Sequence, residues 1–257
     1  MDHTQKIFER WDIASSYAQH TSLTPAEVVI FEKYRGAYAG RRVLDLGVGG
    51  GRTTRSLAPH ASFYIGIDYS RAMIEICQDR FPHHQFEPGD ARDLSRFPAG
   101  WFDFVLFSYN GIDFVDHAGR LQVLKEVARV LASGGIFVFS SHSLELALEY
   151  SLWQRIRKFR SSPGRLSVPK RWGRIGLRML NYMTHRHRQI ITKDYAILLD
   201  PGHDFIVPIY NVNAAEQERQ LQGSGFKVAP QVIPEASPED PVGEQRPYSM
   251  YYIARKP

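Results

Sequence analysis

Hydrophobic residues in this chain come in short blocks that end abruptly at glycine, aspartate or a polar pair. The blocks VLDL from Val43, FYIGID from Phe63, QFEP from Gln85, WFDFVLF from Trp101 and IFVFS from Ile136 have the length and the β-branched or aromatic character of buried strands. Between them, apolar residues recur at helical spacing: Met73, Ile74 and Cys77 after the capping residue Ser70, and Leu121, Leu124, Val127 and Val130 after His117. Strands alternating with helices predict an α/β fold with a parallel sheet. Before the first strand, Ile7, Trp11 and Ala14 mark a helix from about Thr4 to Tyr17. Thr24, Pro25 and Glu27 then form a capping box for a second helix that Gly40 ends. A short helix from Thr53 is stopped by Pro59, and a last helix is expected over 214–222, followed by the strands GFKVAPQVI and YSMYYIARKP.

The first strand runs into VLDLGVGGGRTT, where Gly47, Gly49, Gly50 and Gly51 follow Asp45. Glycine admits positive φ and lets main chain approach a ligand closely, and the next helix start offers unpaired N–H groups. Asp68 closes the second strand about twenty residues on, where a carboxylate can accept hydrogen bonds from two ribose hydroxyls. Together they imply an adenosine-type ligand. A dinucleotide fingerprint needs glycine at the sixth place from Gly47, but Arg52 stands just after Gly51. The pattern is D-x-G-x-G-x-G from Asp45.

In these residues, and in LKEVARVLASGGIFVFSSHS, the sequence resembles the class I S-adenosylmethionine-dependent methyltransferases over about Val43 to Ser143. The resemblance implies a Rossmann-like, doubly wound, seven-stranded sheet, mostly parallel with an antiparallel last strand. S-adenosylmethionine would be the cofactor, held by Asp45, Gly47, Gly49, Gly51 and Asp68. Tyr69 and Met73 would sandwich the adenine, Asp90 and Ala91 of the GDA motif would bind its edge, and Tyr17 would close over the cofactor. The polar end of the fourth strand, Ser108, Tyr109 and Asn110, would line its methionine end and the acceptor, and SYNG departs from the N/D-P-P-Y/F motif of some amino-group methyltransferases. Tyr109, Asn110, Asp113 and His117 are the expected acceptor contacts. For a hydroxyl acceptor a proton-accepting base is useful, and His142, just past the fifth strand, is the residue chosen, with His117 and Asp113 next. No metal-ligand cluster stands out.

Composition narrows the picture further. The 257 residues, 43% of them hydrophobic, suit one domain with an insertion. Residues 1–40 read as lid helices, 41–143 as the cofactor core, 144–212 as the insertion and 213–257 as the closing helix and hairpin. A single cysteine, Cys77, excludes an internal disulfide and points to a reducing compartment. The charged N-terminus and the lack of a long apolar run predict a cytoplasmic protein.

Charge is segregated. Residues 151–193 hold twelve Lys and Arg and no Asp or Glu, while the formal net charge of the whole chain is only +5. Aromatic and aliphatic residues interleave with these cations, as at a peripheral contact with an anionic membrane. A phosphorylated acceptor or nucleic acid would attract the same charges, and a solvated helix face is the plain alternative. No RNA-reading motif accompanies them. Beyond it, QIITKDYAILLD and HDFIVPIY flank an Asp-Pro-Gly turn and predict an antiparallel pair. Insertions of this kind commonly form acceptor pockets in the family resembled. The reading is methyl transfer to a small molecule or saccharide, at oxygen. An RNA or protein methyltransferase and a non-catalytic basic scaffold are the alternatives.

Overall fold

The computed structural model describes residues 3–149, 168–227, 231–235 and 249–257. The basic stretch of 151–167, with Trp153, Ile156 and Phe159, lies outside them. Two helices, α1 (His3–Phe8) and α2 (Trp11–Ala18), replace the single helix expected at the start, because Arg10 takes an extended conformation and begins a new helix. The capping box forms as expected on α3 (Pro25–Lys33), which is followed by the single turn α4 (Arg35–Tyr38).

The core then alternates strand and helix: β1 (Arg42–Leu46), α5 (Thr54–Leu57), β2 (Phe63–Asp68), α6 (Arg71–Arg80), β3 (Gln85–Pro88), β4 (Phe102–Phe107), α7 (His117–Val130) and β5 (Leu131–Ser143). The insertion adds α8 (Leu144–Glu149), α9 (Val168–His185), β6 (Ile190–Ile191), β7 (Tyr195–Leu199) and β8 (Pro208–Val212). The chain closes with α10 (Ala214–Gly223), β9 (Gln231–Glu235) and β10 (Ser249–Arg255).

Strands β3, β2, β1, β4 and β5 pair in parallel in that order, β10 runs antiparallel to β5, and β9 antiparallel to β10. That is the doubly wound arrangement the sequence predicts. The strand count differs: the sheet has ten strands rather than seven, because the inserted strands join it. The tip of β5 makes this possible. His142 pairs with Ser249 of β10 on one edge and with Asn211 of β8 on the other, beyond the last β4 pairing at Phe107 and Phe139. So β8 occupies the edge that β4 has vacated, and the antiparallel strands β7 and β6 follow it. The insertion is thereby fastened at the carboxyl edge of the sheet, where open α/β folds bind ligands.

Alternation along the strands sends side chains to two cores. Leu44, Leu46, Phe137 and Phe139 pack against Val123, Leu124 and Val127 of α7, whereas Val43, Ile136 and Val138 pack with Ile30 and Phe31 of α3. Burying each such side chain contributes about 1.5–3 kcal/mol. Two filled faces leave only the strand ends free for chemistry.

Candidate active site

The glycine turn lies at the end of β1. Gly47 and Gly49 have φ of 59° and 53°, and a Cβ built on Gly47 would stand 2.6 Å from the Phe107 ring. This is the bare cradle the sequence predicts. Gly51 turns elsewhere: a Cβ there would meet Phe81 and Cys77, so it serves packing behind the turn.

Asp68 faces the cradle. Its Oδ2 accepts from Gly49 N–H at 3.0 Å and its Oδ1 from Ser70 N–H at 2.9 Å, which fixes the carboxylate and leaves each oxygen able to accept once more. Burial pushes its pKa up to about 6, against the two backbone bonds that favour the charge. Asp45 is also raised to about 6 by burial and is tied to Thr53 (2.6 Å) and Tyr64 (2.9 Å) under the turn.

These groups line an open crevice with a cavity volume of about 120 Å³. Tyr17, Tyr69, Met73, Gly89, Ala91, Ser108 and Tyr109 are among its lining residues. Asp90 is not among the lining residues. Its carboxylate is half-exposed and bound to Arg92 at 2.6 Å, which, against the effect of burial, holds it below the usual carboxylate range. A cradle that any Cβ would fill, beside a fixed carboxylate with spare lone pairs, fits a nucleoside sulfonium such as S-adenosylmethionine.

A second cluster went unread in the sequence. Glu27 is fully buried and, besides capping α3 through Thr24 N–H at 2.7 Å, accepts from both terminal nitrogens of Arg52, from Ser108 and from Tyr251 at 2.9 Å. Arg52 lines the crevice, and its guanidinium lies 4.9 Å from the centroid of the Tyr109 ring. The capping box was the only signal, and it reads as structural.

The remaining expected acceptor residues form a knot beside the crevice. Buried Asp113 pairs with Arg120 at 2.5 Å and with His142 Nδ1 at 2.6 Å, and it also accepts from Ser141 Oγ and the His142 N–H. His142 Nε2 lies 3.3 Å from the Asn110 amide nitrogen. None of Asn110, Asp113 and His142 lines the crevice. His117 is farther out, stacked on Tyr195 at 4.4 Å and bound to Tyr210 at 2.8 Å, where it joins α7 to the inserted strands. Of these side chains His117 holds the insertion to the core, and the others tie β5 to α7 and to the segment after β4. Among the described residues no cluster suited to a metal ion is present.

Residues 43–135 match the methyltransferase domain family. They form a class I methyltransferase domain, of the kind that uses S-adenosylmethionine. The chain is 32% identical over 109 residues to the uncharacterized methyltransferase YcgJ of Bacillus subtilis (strain 168), covering 40% of this chain and 42% of that protein. It is 23% identical over 137 residues to a ubiquinone biosynthesis O-methyltransferase of Acinetobacter baylyi, covering 51% and 56%. The chain thus spans about half the length of the curated relatives it matches. Similar solved folds include protein PH0226 of Pyrococcus horikoshii OT3, with TM-score 0.59 and 21% identity over 90% of this chain and 87% of that one. An S-adenosylmethionine-dependent methyltransferase of Mesorhizobium loti gives TM-score 0.58 and 20% identity over 90% and 98%. Most of the crevice lining belongs to this matched segment, while Phe8, Tyr17 and His20 come from outside it.

Proposed function

We propose that this protein transfers the methyl group of S-adenosylmethionine to the oxygen of a small, largely apolar acceptor. The observation that carries this is the Asp68 carboxylate, locked by two backbone N–H groups above a glycine cradle. When bound, the cofactor supplies an activated methyl group with a good leaving group, so the protein has mainly to align the reactants and exclude water. Asp68 accepts the ribose hydroxyls, Tyr69 and Met73 flank the adenine, and Arg52 presents positive charge toward the amino-acid end. Tyr17 covers the crevice from α2. The apolar acceptor is supported by relatives named for ubiquinone biosynthesis, demethylmenaquinone and phthiotriol dimycocerosates. Incubating cell extract with methyl-labelled S-adenosylmethionine and separating lipid, glycan, nucleotide and polypeptide fractions tests it. Label is expected in an organic-extractable product, and label confined to RNA or protein would contradict the reading.

The insertion favours acceptors held at a lipid surface. On α9 the inward face carries Arg178, 2% exposed and bound to Asp204 at 2.7 Å, with Asn181 and Tyr182. Leu177, Leu180 and Met183 point outward on successive turns, 51%, 63% and 64% exposed, and Ile190 and Ile191 of β6 are exposed as well. An outward apolar stripe in a segment with no acidic residue suits the headgroup region of an anionic membrane. Among the described residues no helix is long and apolar enough to cross one.

A further inference from the structure

The inserted loop between β7 and β8 carries one imidazole that the sequence reading did not single out, and sets it behind three side chains that line the crevice without lining it itself. His203 Nδ1 lies 2.5 Å from Asp200 Oδ2, and both side chains are largely buried. Its Nε2 is 3.3 Å from the Tyr17 hydroxyl, and its ring packs edge-on against Phe8 and Phe114 at 5.6 and 5.8 Å. Tyr17, Phe8 and Phe114 all line the crevice. The loop is built for this placement. A Cβ on Gly202 would lie 2.7 Å from Asp200 Oδ2, so only glycine lets that carboxylate fold beneath the imidazole. Asp204 and Phe205, which follow, both hold left-handed φ of 48° and 62°, a conformation unfavourable for residues with a Cβ. Three contacts from α9 pin that turn: Arg178 to Asp204 and to the Pro201 carbonyl, and Asn181 to the Asp204 carbonyl.

The hydrogen-bond directions follow from the partners. Carboxylate Asp200 only accepts, so the neutral His203 ring is the tautomer with its proton on Nδ1 and a lone pair on Nε2. Burial, with Asp200 and Tyr109 nearby, keeps the Tyr17 phenol protonated, and it donates to that lone pair. The chain therefore displays a phenol docked on an oriented imidazole beside the cofactor crevice. The other ionisable groups around the pair are His142 from β5, which acts on Asp200, and Asp68 and Tyr109, which act on Tyr17.

We propose that Asp200 and His203 are the proton-accepting pair of this site, and that the acceptor is a phenol or similarly acidic hydroxyl that takes the place of the Tyr17 hydroxyl. This rests on the methyl-transfer reading. The acceptor O–H bond breaks with its proton passing to His203 Nε2, while the oxygen bonds to the methyl carbon. The carbon–sulfur bond breaks with its electron pair staying on sulfur. His203 keeps its Nδ1 proton, and Asp200, accepting that hydrogen bond as a carboxylate, stabilises the resulting imidazolium. Phe8, Phe114 and Tyr17 give a flat aromatic acceptor its apolar surface.

The test uses 4-nitrophenol, whose ionisation is read by visible absorbance, with the protein saturated by S-adenosylhomocysteine. Bound to the wild type, its ionisation is expected to shift by at least about one pKa unit toward the phenolate, a tenfold change. H203Q and D200N are each expected to abolish that shift while S-adenosylhomocysteine affinity, measured by calorimetry, changes less than about threefold. Y17F, which removes the competing phenol, is expected to tighten probe binding. The conservative D200N variant keeps the imidazole, so it reports on orientation even where H203Q fails to fold. Persistence of the shift in H203Q, or its absence in the wild type with S-adenosylhomocysteine bound, would overturn the assignment. Failure of S-adenosylhomocysteine itself to bind would instead overturn the underlying methyl-transfer reading.

Discussion

Glu27 holds Arg52 by both terminal nitrogens, although Glu27 belongs to the N-terminal turn of α3 and Arg52 to the glycine turn. The pair is nearly dry, with side-chain exposures of 1% and 11%. Removing one partner from such a pair leaves a buried charge uncompensated and costs about 3–5 kcal/mol. Glu27→Gln is therefore expected to lower stability by that order in urea denaturation. Weaker cofactor binding should follow, since Arg52, Ser108 and Tyr109 share the same support. An unchanged midpoint would show that the pair contributes nothing.

Asp68 is expected to make cofactor binding pH-dependent. In the proposed complex the ribose hydroxyls would donate to the ionised carboxylate, and burial has raised its pKa to about 6. Affinity for S-adenosylhomocysteine is expected to be flat above pH 7 and to fall up to about tenfold per unit below 6. The ligand-free protein behaves in the opposite sense. A carboxyl whose folded pKa exceeds its unfolded value stabilises the fold fully below the unfolded value, and that contribution is lost as pH rises through about 6. Calorimetry from pH 5 to 8 on the wild type and Asp68→Asn checks the binding profile, which should be flat in the variant.

Gly50 separates the cradle from the lid. A Cβ there would stand 2.6 Å from the Ala18 main chain, which cannot yield as a flexible side chain would. Gly50→Ala is expected to push the end of α2 away and weaken S-adenosylhomocysteine about tenfold, or 1.4 kcal/mol. Gly47→Ala should also destabilise the apo protein, by roughly 1–2 kcal/mol from its left-handed backbone alone. Equal affinity in Gly50→Ala would show that α2 does not cover the cofactor.

The outward ridge of α9 is expected to bind lipid. Wild-type protein should sediment with phosphatidylglycerol vesicles at low salt, more weakly at high salt and with phosphatidylcholine. Leu180→Asp with Met183→Asp should stay in the supernatant. Equal sedimentation of that double variant would reject the ridge as the contact.

The sheet and the glycine turn were legible because strand blocks and glycines are local signals, and Asp68, Tyr69 and Met73 follow from the position of one strand end. What stayed hidden depends on long-range closure. Glu27 meets Ser108 and Tyr251 across 81 and 224 positions, and no periodicity announces such a meeting. His203 sat beside an Asp-Pro-Gly turn that reads as a plain hairpin. The turn instead forms a short 3-10 segment, and the loop containing it carries His203 to Tyr17. His142 was chosen for its place after β5, but both ring nitrogens are engaged within the Asp113 and Asn110 knot. The cations of the insertion were expected on the surface, yet Arg178 turns inward because Asp204 and the Pro201 carbonyl offer it partners.

A crystal structure of the complex with S-adenosylhomocysteine tests the central claim most directly. The account places the two ribose hydroxyls on the two oxygens of Asp68, with the adenine between Tyr69 and Met73 and the sulfur near Ser108 and Tyr109. Density for the ligand elsewhere, or a crevice left closed by Tyr17 at saturating ligand, would contradict it.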